Sequence, residues 1–478
     1  MQFKYDETSP EDILKYAQGL KDKTFIQLIK EAEANPASLI SETYPDYLAI
    51  HKNHKHKGSL GEIIEECYFE YKANDNQEPD FPLAGVELKV SPFKINKNGT
   101  KSAKERLVIT MIDYFRLADE TFETSHLWDK SKLILLIYYL FSETVERLEY
   151  PIKYISLFTP PAEDLPVIKH DFEIIKQKVL KGKAHELSSA DTCYLEACTK
   201  SSSSATHRKQ PFSDIEAKPR AFAFKNSYMT YILNNYIIEE KKMYESIMPK
   251  ESEDPFEIYV ENKLAEYKGW STSDLIEEFH IDTGSTQAKN LGAMLAYAIL
   301  GVKSNKAEEF EKAGIQVKTI RIEANGRIKE HMSFPIIDFE ALVNEEWDTS
   351  EFRNYLSDTK FLFVVYKFDE DGTLRLQGCQ FWNIPYEDLE GDVQSVWLEM
   401  KEVLKRGPRI SQAGIHRAND FPKQKDHPIS HVRPHAANAK DTRPLPVATS
   451  EGDWEYTKQC FWLNNSYILS QLKDELKN

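Results

Sequence analysis

The chain has little cysteine and no long apolar run, and both shortages narrow its class. Its 478 residues include five cysteines, at positions 67, 193, 198, 379 and 460. Their number is odd and no two are spaced as a CxxC pair or a zinc site, so neither a disulfide framework nor a structural zinc is predicted. Apolar runs of about 18 residues, which a membrane span needs, are missing. The first residues, MQFKYD, do not begin an apolar signal segment. We therefore expect a cytoplasmic protein with no membrane partner.

The sequence also lacks an excess of positive charge and the commonest catalytic motifs. It has 61 lysines and arginines against 77 acidic residues, a net charge of −16. It contains no glycine-rich phosphate loop and no ordered Ser/His/Asp set. Basic residues are nevertheless concentrated in three stretches, 89–106, 200–225 and 405–443. Such stretches are often solvated loops, but the location of charge matters more than its sum, so nucleic acid stays open as a partner.

What the sequence does contain is a long internal repeat. Residues 80–90 (DFPLAGVELKV) and 309–319 (EFEKAGIQVKT) share Ala-Gly followed by an alternating apolar and polar run. Further segments match at an offset of about 230 residues, a period that indicates domain duplication and not a solenoid. We predict two tandem domains of similar fold, residues 1–240 and 256–478, joined by a charged linker. Each is expected to be an α/β domain, a mixed sheet flanked by helices.

Local patterns place helices and strands within the first copy. Ser9 followed by proline and two acids predicts a helix start. Residues 58–72 carry apolar residues at helical spacing, and residues 172–180 form a second helical pattern. The continuous apolar run at 132–140 predicts a buried strand. Residues 201–204, all serine, are expected in a loop.

The alternating run after Asp80 carries the candidate chemistry. In a strand, its apolar residues point into a core and leave Glu87 and Lys89 together on the other face. Glu65 on the preceding helix can add a third carboxylate. Such hard oxygen ligands hold Mg²⁺, which polarises a scissile phosphate and lowers the pKa of a bound water. Lys89 would orient that water or stabilise transition-state charge, and Lys132 is a candidate phosphate contact.

Spacing alone does not establish this site, because an exposed strand bearing a surface ion pair is the simpler interpretation. The second copy supplies the stronger argument. Ala296 and Gln316 stand where the first copy has Glu65 and Glu87, whereas Lys318 keeps the lysine. Joint loss of two carboxylates is expected when a metal site decays. We therefore predict that the first copy cuts phosphodiester bonds and the second does not.

Together these motifs resemble the MutH family. The resemblance rests on residues 57–65 (KGSLGEIIE), on the motif at 80–89, and on residues 123–126 (ETSH) followed by Lys132. That family joins the mismatch-repair nickase MutH to type II restriction endonucleases that cut GATC. The two-domain layout is similar to the restriction enzymes, the Sau-three-A type. The resemblance covers nearly the whole chain, with a catalytic domain first and a degenerate MutH-like effector domain second.

The resemblance implies a type II restriction endonuclease that makes Mg²⁺-dependent double-strand cuts in duplex DNA before the G of GATC. It implies Glu65, Asp80, Glu87 and Lys89 as catalytic residues, with the three carboxylates as metal ligands and Lys132 in support. It also implies that the second domain binds another GATC site and activates cleavage allosterically.

A base-reading loop with the sequence Arg-Pro-Lys-Ala-Ala-Asn belongs to the same resemblance. The second domain keeps it closely at 433–438 (RPHAAN), whereas the first departs from it at 198–203 (CTKSSS). Lysine at position 200 can still contact a guanine edge. The residues expected to bind DNA are Lys57, Lys200, Lys225, Arg433, His435 and Asn438. A strand-nicking repair endonuclease and a GATC-binding regulator without catalysis stay open as alternatives, as does a homodimer on DNA.

Overall fold

The computed structural model describes residues 4–36, 38–40, 46–52, 59–72, 78–96, 98–200, 206–238, 244–249, 254–282, 290–413 and 416–477. The chain divides into two compact units. The first comprises Met1–His185, Asp191–Tyr244 and Glu311–Gly314, and the second comprises Glu186–Ala190, Glu245–Phe310 and Ile315–Asn478.

The first half of the chain contributes eight α-helices and nine strands in the described residues. The helices are α1 (Pro10–Ala17), α2 (Phe25–Glu33), α3 (Asp46–Lys52), α4 (Ser59–Ile63), α5 (Tyr114–Leu117), α6 (His126–Ser131), α7 (Leu165–Leu180) and α8 (Asn226–Ile232). The strands are β1 (Glu87–Ile95), β2 (Lys101–Ala103), β3 (Leu107–Met111), β4 (Ile134–Leu140), β5 (Ile152–Phe158), β6 (Leu195–Thr199), β7 (Arg208–Gln210), β8 (Ser213–Ala217) and β9 (Arg220–Phe224).

Two sheets organise the first unit. One has the strand order β2-β1-β4-β5, in which β1 and β4 are parallel and the other pairs antiparallel. Strand β4 is buried along most of its length, as its continuous apolar sequence predicts. The second sheet is antiparallel with the order β3-β9-β6, and β7 and β8 form a separate hairpin. The first sheet carries Glu87 at the start of β1.

The second half of the chain contributes nine α-helices and ten strands in the described residues. The helices are α9 (Phe256–Ala265), α10 (Thr272–Glu278), α11 (Leu291–Ile299), α12 (Glu308–Ala313), α13 (Phe339–Leu342), α14 (Glu351–Asp358), α15 (Tyr386–Asp388), α16 (Gln394–Arg406) and α17 (Asn465–Gln471). The strands are β10 (Gln316–Ile322), β11 (Met332–Ile336), β12 (Phe361–Phe368), β13 (Leu374–Trp382), β14 (Ile410–Ala413), β15 (His416–Asn419), β16 (Ser430–Pro434), β17 (Thr442–Pro444), β18 (Glu455–Thr457) and β19 (Gln459–Leu463).

The sheets of the second unit repeat those of the first. Strand order β10-β12-β13, with a parallel and then an antiparallel pair, matches β1-β4-β5. The antiparallel order β11-β19-β16 matches β3-β9-β6, including a break in register in the first strand pair of each. Hairpins β14-β15 and β17-β18 complete the unit. The sequence repeat therefore corresponds to a repeated sheet topology, and the α/β prediction is confirmed.

The local predictions mostly hold. Ser9 caps α1 by accepting a hydrogen bond from the Asp12 amide, with proline at the first helical position. The predicted buried strand and the helix at 172–180 correspond to β4 and the second half of α7. The helix at 58–72 is shorter than predicted, because α4 passes into a single π-helical turn, Ile64–Tyr68. The serine loop at 201–204 lies outside the described residues.

Two of the predicted absences can be compared with the structure. Among the described residues, no helix combines the length and apolar character that crossing a bilayer requires. All five cysteines are buried and none forms a disulfide.

Candidate active site

Glu87 is the first residue of β1 and is almost completely buried. Its amide donates to the Leu133 carbonyl at 3.0 Å, which continues the parallel pairing of β1 with β4, and the residue is 1% exposed. The simpler interpretation, an exposed strand with a surface ion pair, therefore does not hold at Glu87. Glu87 is buried by tertiary packing, because α6 places the Lys130 side chain over this end of the strand. A carboxylate enclosed in this way needs a cationic partner.

Two lysines provide that partner. Lys89 donates to Glu87 Oε1 along the same strand face. Lys130, near the end of α6, places its Nζ 3.4 Å from Oε1 and 3.3 Å from Oε2 of Glu87, and is itself 9% exposed. Lys132, predicted as a phosphate contact, forms a half-exposed ion pair with Asp129 at 3.0 Å. The structure thus brings Lys130, and not Lys132, to the carboxylate.

Asp80 and Glu65 lie next to this pair. Asp80 Oδ2 accepts a hydrogen bond from the Leu88 amide at 2.8 Å, which ties the turn before β1 to the strand. Burial and the nearby Glu87 charge raise the pKa of Asp80. Glu65 belongs to the π-helical turn after α4, and burial, together with the charge of Asp80, raises its pKa to about 7. Single π turns of this kind often occur at functional sites.

The donor set fits a hard divalent cation. Glu87 Oε2 is buried and has no hydrogen-bond donor among the described residues, although Lys130 is close by. The hydroxyl of Tyr71, whose pKa burial and the three carboxylates raise, is likewise buried without a hydrogen-bond partner there. The described residues hold no ready-made group of three or more metal-ligating side chains. Mg²⁺ commonly uses only one or two carboxylates and completes its shell with water and substrate phosphate, so these residues fit it.

The corresponding position in the second unit has taken a different role. Glu309 aligns with Asp80, but both its oxygens are occupied: Oε1 by Ser246 and the Met248 amide at 2.7 and 3.0 Å, and Oε2 by the Ile247 amide at 3.0 Å. Gln316, aligned with Glu87, is exposed at the start of β10. Lys318 is retained, and burial lowers its pKa. A carboxylate that anchors backbone amides is no longer available to a metal.

The structure separates the predicted DNA-binding residues. Arg433, His435 and Asn438 are exposed at and after the end of β16. Lys200 is exposed, and its amide donates to the Pro219 carbonyl at 2.8 Å. Lys225 does not reach the surface, because its ammonium donates to the Thr192 carbonyl at 2.6 Å inside the first unit. Lys57 lies outside the described residues.

Lys130 and Tyr71 were missed by sequence reasoning. A lysine near the end of a short helix has no motif of its own, and its role depends on where that helix lies. The signal that was present is weak: Ser125 caps α6 by accepting from the Trp128 amide, which fixes the start of the helix and hence the face that Lys130 occupies.

A type II restriction enzyme resembles this chain over most of its length, and mismatch-repair MutH proteins resemble less than half of it. The family model described as DNA mismatch repair enzyme MutH matches residues 69–171 and 300–390, one segment in each half. The type II restriction enzyme Sau3AI of Staphylococcus aureus is 39% identical over 464 residues, covering 88% of this chain and 93% of the relative. DNA mismatch repair protein MutH of Shewanella woodyi is 28% identical over 181 residues, 37% of this chain and 76% of the relative. The MutH protein of Actinobacillus pleuropneumoniae serotype 3 is 25% identical over 184 residues, 38% of this chain and 79% of the relative.

The two kinds of relative differ in extent. MutH proteins match less than half of the chain, whereas the restriction enzyme matches both halves. Its identity and coverage, together with the paired MutH segments, identify the class of enzyme. The chain therefore belongs to the MutH-related family of type II restriction enzymes and is a site-specific deoxyribonuclease acting on double-stranded DNA.

Proposed function

We propose that this chain makes Mg²⁺-dependent double-strand cuts in duplex DNA before the G of GATC. The first unit cleaves, and the second unit binds another GATC site and activates the first. Full-length similarity to a type II restriction enzyme carries the proposal. The contrast between the two aligned positions supports the division of labour, since Glu87 is held by two lysines whereas its counterpart Gln316 is exposed.

Asp80, Glu87 and Glu65 are the residues that would hold Mg²⁺. When bound there, the ion supplies positive charge that polarises the scissile phosphate and makes water a better nucleophile. The remaining chemistry belongs to the protein. The water loses a proton and its oxygen bonds to phosphorus, the bond from phosphorus to the leaving oxygen breaks, and the leaving oxygen takes up a proton, so that one water is consumed for each bond cut. Burial of Glu87 keeps competing solvent away from its Oε2, which is paired with Lys130 by charge but accepts no hydrogen bond from the described residues.

Lys89 and Lys130 act through their charge. Both ammonium groups lie at Glu87, so their positive charge is fixed before substrate arrives. Charge placed in advance in a poorly solvated site stabilises the extra negative charge of the phosphorane-like transition state without reorganisation. Lys89, the more exposed of the two, can orient the attacking water. Asp80 positions the strand start through the Leu88 amide as well as offering its second oxygen.

Digestion of a sequenced supercoiled plasmid tests the proposal. Wild-type protein with Mg²⁺ should linearise and fragment it at every GATC, and EDTA should stop cleavage. Glu87→Gln introduces the residue that the second copy has, and should abolish cutting. Gln316→Ala changes the aligned exposed residue of the second unit and should cut like wild type.

Other outcomes would assign the chain differently. Relaxed circles without linear product would indicate a strand-nicking repair endonuclease. Retention of GATC duplexes in a shift assay without any Mg²⁺-dependent cleavage would indicate a DNA-binding regulator. Cleavage at other sequences would refute the specificity and leave the enzyme class intact.

The effector role requires its own measurement. Plasmids with one and with two GATC sites should be cut at different rates by wild-type protein, with the two-site plasmid faster. Arg433→Ala should slow cleavage of the two-site plasmid to the one-site rate. Equal rates on both plasmids for the wild type would contradict allosteric activation by a second site.

A further inference from the structure

The three-stranded sheet β11-β19-β16 of the second unit carries a cluster of nitrogen-bearing side chains on one face. Trp462 of β19 pairs in register with Ser333 of β11 and with His431 of β16. His331 precedes β11, and its ring lies 4.8 Å from that of His431 at an angle of 74°. Arg433 follows two residues after His431 on the same strand face. We call His331, His431, Arg433 and Trp462 the histidine face.

The matching sheet of the first unit has a different set at the same register. There Glu196 pairs with Ala223 as His431 pairs with Trp462. Arg106 precedes β3 as His331 precedes β11, and it forms a 2.7 Å ion pair with Glu196. In the first unit, the Arg106 and Glu196 charges neutralise each other. At the same place the second unit has two imidazoles and an arginine. Neither ring is hydrogen-bonded to a carboxylate in the described part of the chain.

Neighbouring backbone and amide groups fix the tautomers of the two rings. Asn464 is 1% exposed and its Nδ2 donates to the His427 carbonyl at 2.8 Å, so its Oδ1 accepts from His431 Nδ1–H at 2.6 Å. His331 Nδ1 accepts from the Asn465 amide at 3.1 Å. In the neutral state His331 therefore carries its proton on Nε2 and can donate, whereas His431 Nε2 is an acceptor that becomes a donor on protonation.

Arg433 is held over an aromatic platform. Its guanidinium carbon lies 5.2 Å from the centre of the Trp462 ring, and Trp462 Nε1 donates to the Arg433 carbonyl at 3.2 Å. His435, outside the cluster, lies against the same ring at 5.4 Å. A planar guanidinium oriented in this way is exposed and suited to bidentate binding of two phosphate oxygens.

We propose that the histidine face binds a backbone phosphate of the DNA held by the second unit, with Arg433 and the two imidazoles as donors and Trp462 as the platform. The inference rests on the proposed function, because it presumes that the second unit binds DNA. The histidine face has an arginine and two imidazoles but no carboxylate bonded to them among the described residues, so a polyanion complements it. Phosphate contacts are the interactions that position a protein on its DNA.

Proton uptake accompanies this binding. Burial, Arg433 and the neighbouring ring lower the pKa of His431 to about 4, and burial and Arg433 lower that of His331. Among the described residues, the charged groups that act on the rings are each other and Arg433. Cys460, whose thiol pKa burial raises to about 11, pairs in register with Arg433, and His435 lies against the Trp462 ring. Asn464 and Asn465 hydrogen-bond to the rings. A phosphate raises the imidazole pKa values, so affinity increases as pH falls, by at most about tenfold per pH unit for each proton taken up.

Binding of a fluorescent GATC duplex to the full chain in EDTA, from pH 6 to pH 8.5, tests the inference. Wild type should bind on the order of tenfold tighter at pH 6 than at pH 8. In the double variant His331→Asn and His431→Asn, each asparagine keeps the hydrogen bond made at Nδ1 but does not titrate, so the pH dependence should shrink to what the other titratable groups at the DNA, Glu65 among them, contribute. His170→Asn, an exposed histidine of α7, is the matched control and should keep the wild-type pH dependence.

Two further variants distinguish a failure of the histidine face from a failure of DNA binding by the second unit. Arg433→Ala should weaken binding and lower the salt dependence. His331→Arg with His431→Glu, the residues of the first unit, should reduce the pH dependence as the asparagine pair does. If Arg433→Ala weakens binding but the asparagine pair keeps the wild-type pH dependence, the histidine face is refuted and DNA binding by the second unit stands. If none of these variants changes binding, the proposed role of the second unit fails as well.

Discussion

Lys130→Met, compared with Lys132→Met, examines which lysine serves Glu87, the carboxylate proposed as catalytic. Lys130 Nζ lies 3.3 Å from Glu87 Oε2, and both residues are buried. At an effective dielectric constant of about 20, unit charges 3.3 Å apart attract by about 5 kcal/mol. Lys89 remains on Glu87 in the variant, so the net loss in the free energy of unfolding should be about 1–3 kcal/mol, below the full cost of orphaning a buried charge.

The effect on catalysis should be larger than the effect on stability. Loss of one fixed positive charge at the reacting phosphate should lower the cleavage rate by about 100- to 1,000-fold. Removal of a cation beside the carboxylates should at the same time tighten Mg²⁺ binding, because the ammonium and the metal compete for Glu87. Lys132→Met breaks only the half-exposed pair with Asp129 and should change the stability by less than about 1 kcal/mol.

Single-turnover cleavage at saturating Mg²⁺, a Mg²⁺ titration and urea unfolding measure these three quantities. A slower variant that binds Mg²⁺ more tightly would agree with a charge acting at the site. A variant that merely loses stability and Mg²⁺ affinity together would indicate a structural role. The reasoning would be refuted if Lys130→Met cleaved at the wild-type rate while Lys132→Met did not.

Three further predictions concern the framework. Asp171 is fully buried and accepts hydrogen bonds from the amides of Cys193, Tyr194 and Leu195 at 2.7–2.9 Å. Asp171→Ala should therefore lower the free energy of unfolding by about 3 kcal/mol or more. Glu173→Gln, at an exposed position, is the control, and an unchanged urea midpoint for Asp171→Ala would contradict the prediction. A Cβ on Gly292 would lie 3.0 Å from side-chain atoms of Thr319 and Tyr366, whereas one on Gly61 meets nothing closer than Glu65 Oε1 at 3.9 Å. Gly292→Ala should therefore destabilise by about 1 kcal/mol or more and Gly61→Ala should not, and thermal unfolding that ranked them the other way would sink the packing argument. His431 is neutral in the folded state, with a pKa of about 4, so its contribution to wild-type stability is lost as pH drops from about 6.5 towards 4. His431→Asn should therefore gain stability relative to wild type over that interval. A stability difference that does not vary with pH would exclude a buried neutral imidazole.

Local order was largely predictable from the sequence. The cap at Ser9, the apolar run that becomes β4 and the helical spacing of α7 each depend on residues a few positions apart, which interact in the same way wherever the segment lies. The duplication was also visible, because matched segments recur at a steady offset, and the structure adds that the sheet order recurs with it.

The sequence predicted the strand that carries the candidate site but not the residues that pack around it. Alternation placed Glu87 and Lys89 on one face, and that neighbourhood is observed. It did not reveal that the face is covered, that Lys130 supplies the second charge, or that Glu309 has become an anchor for backbone amides. Each of these depends on a segment more than 40 positions away, and a one-dimensional pattern does not record which distant segment lies over a strand.

The sequence by itself indicated the enzyme class through its resemblance to the MutH family. It also determined the duplication and the loss of carboxylates in the second copy, because these depend on residue identity and spacing. Tertiary structure alone decided which groups meet. Lys225 is turned inward to a carbonyl, and His331 and His431 are paired where the other unit has an ion pair. The physical reason is that burial and nearby charges change the pKa and the reactivity of an ionisable group, and both depend on how the chain packs.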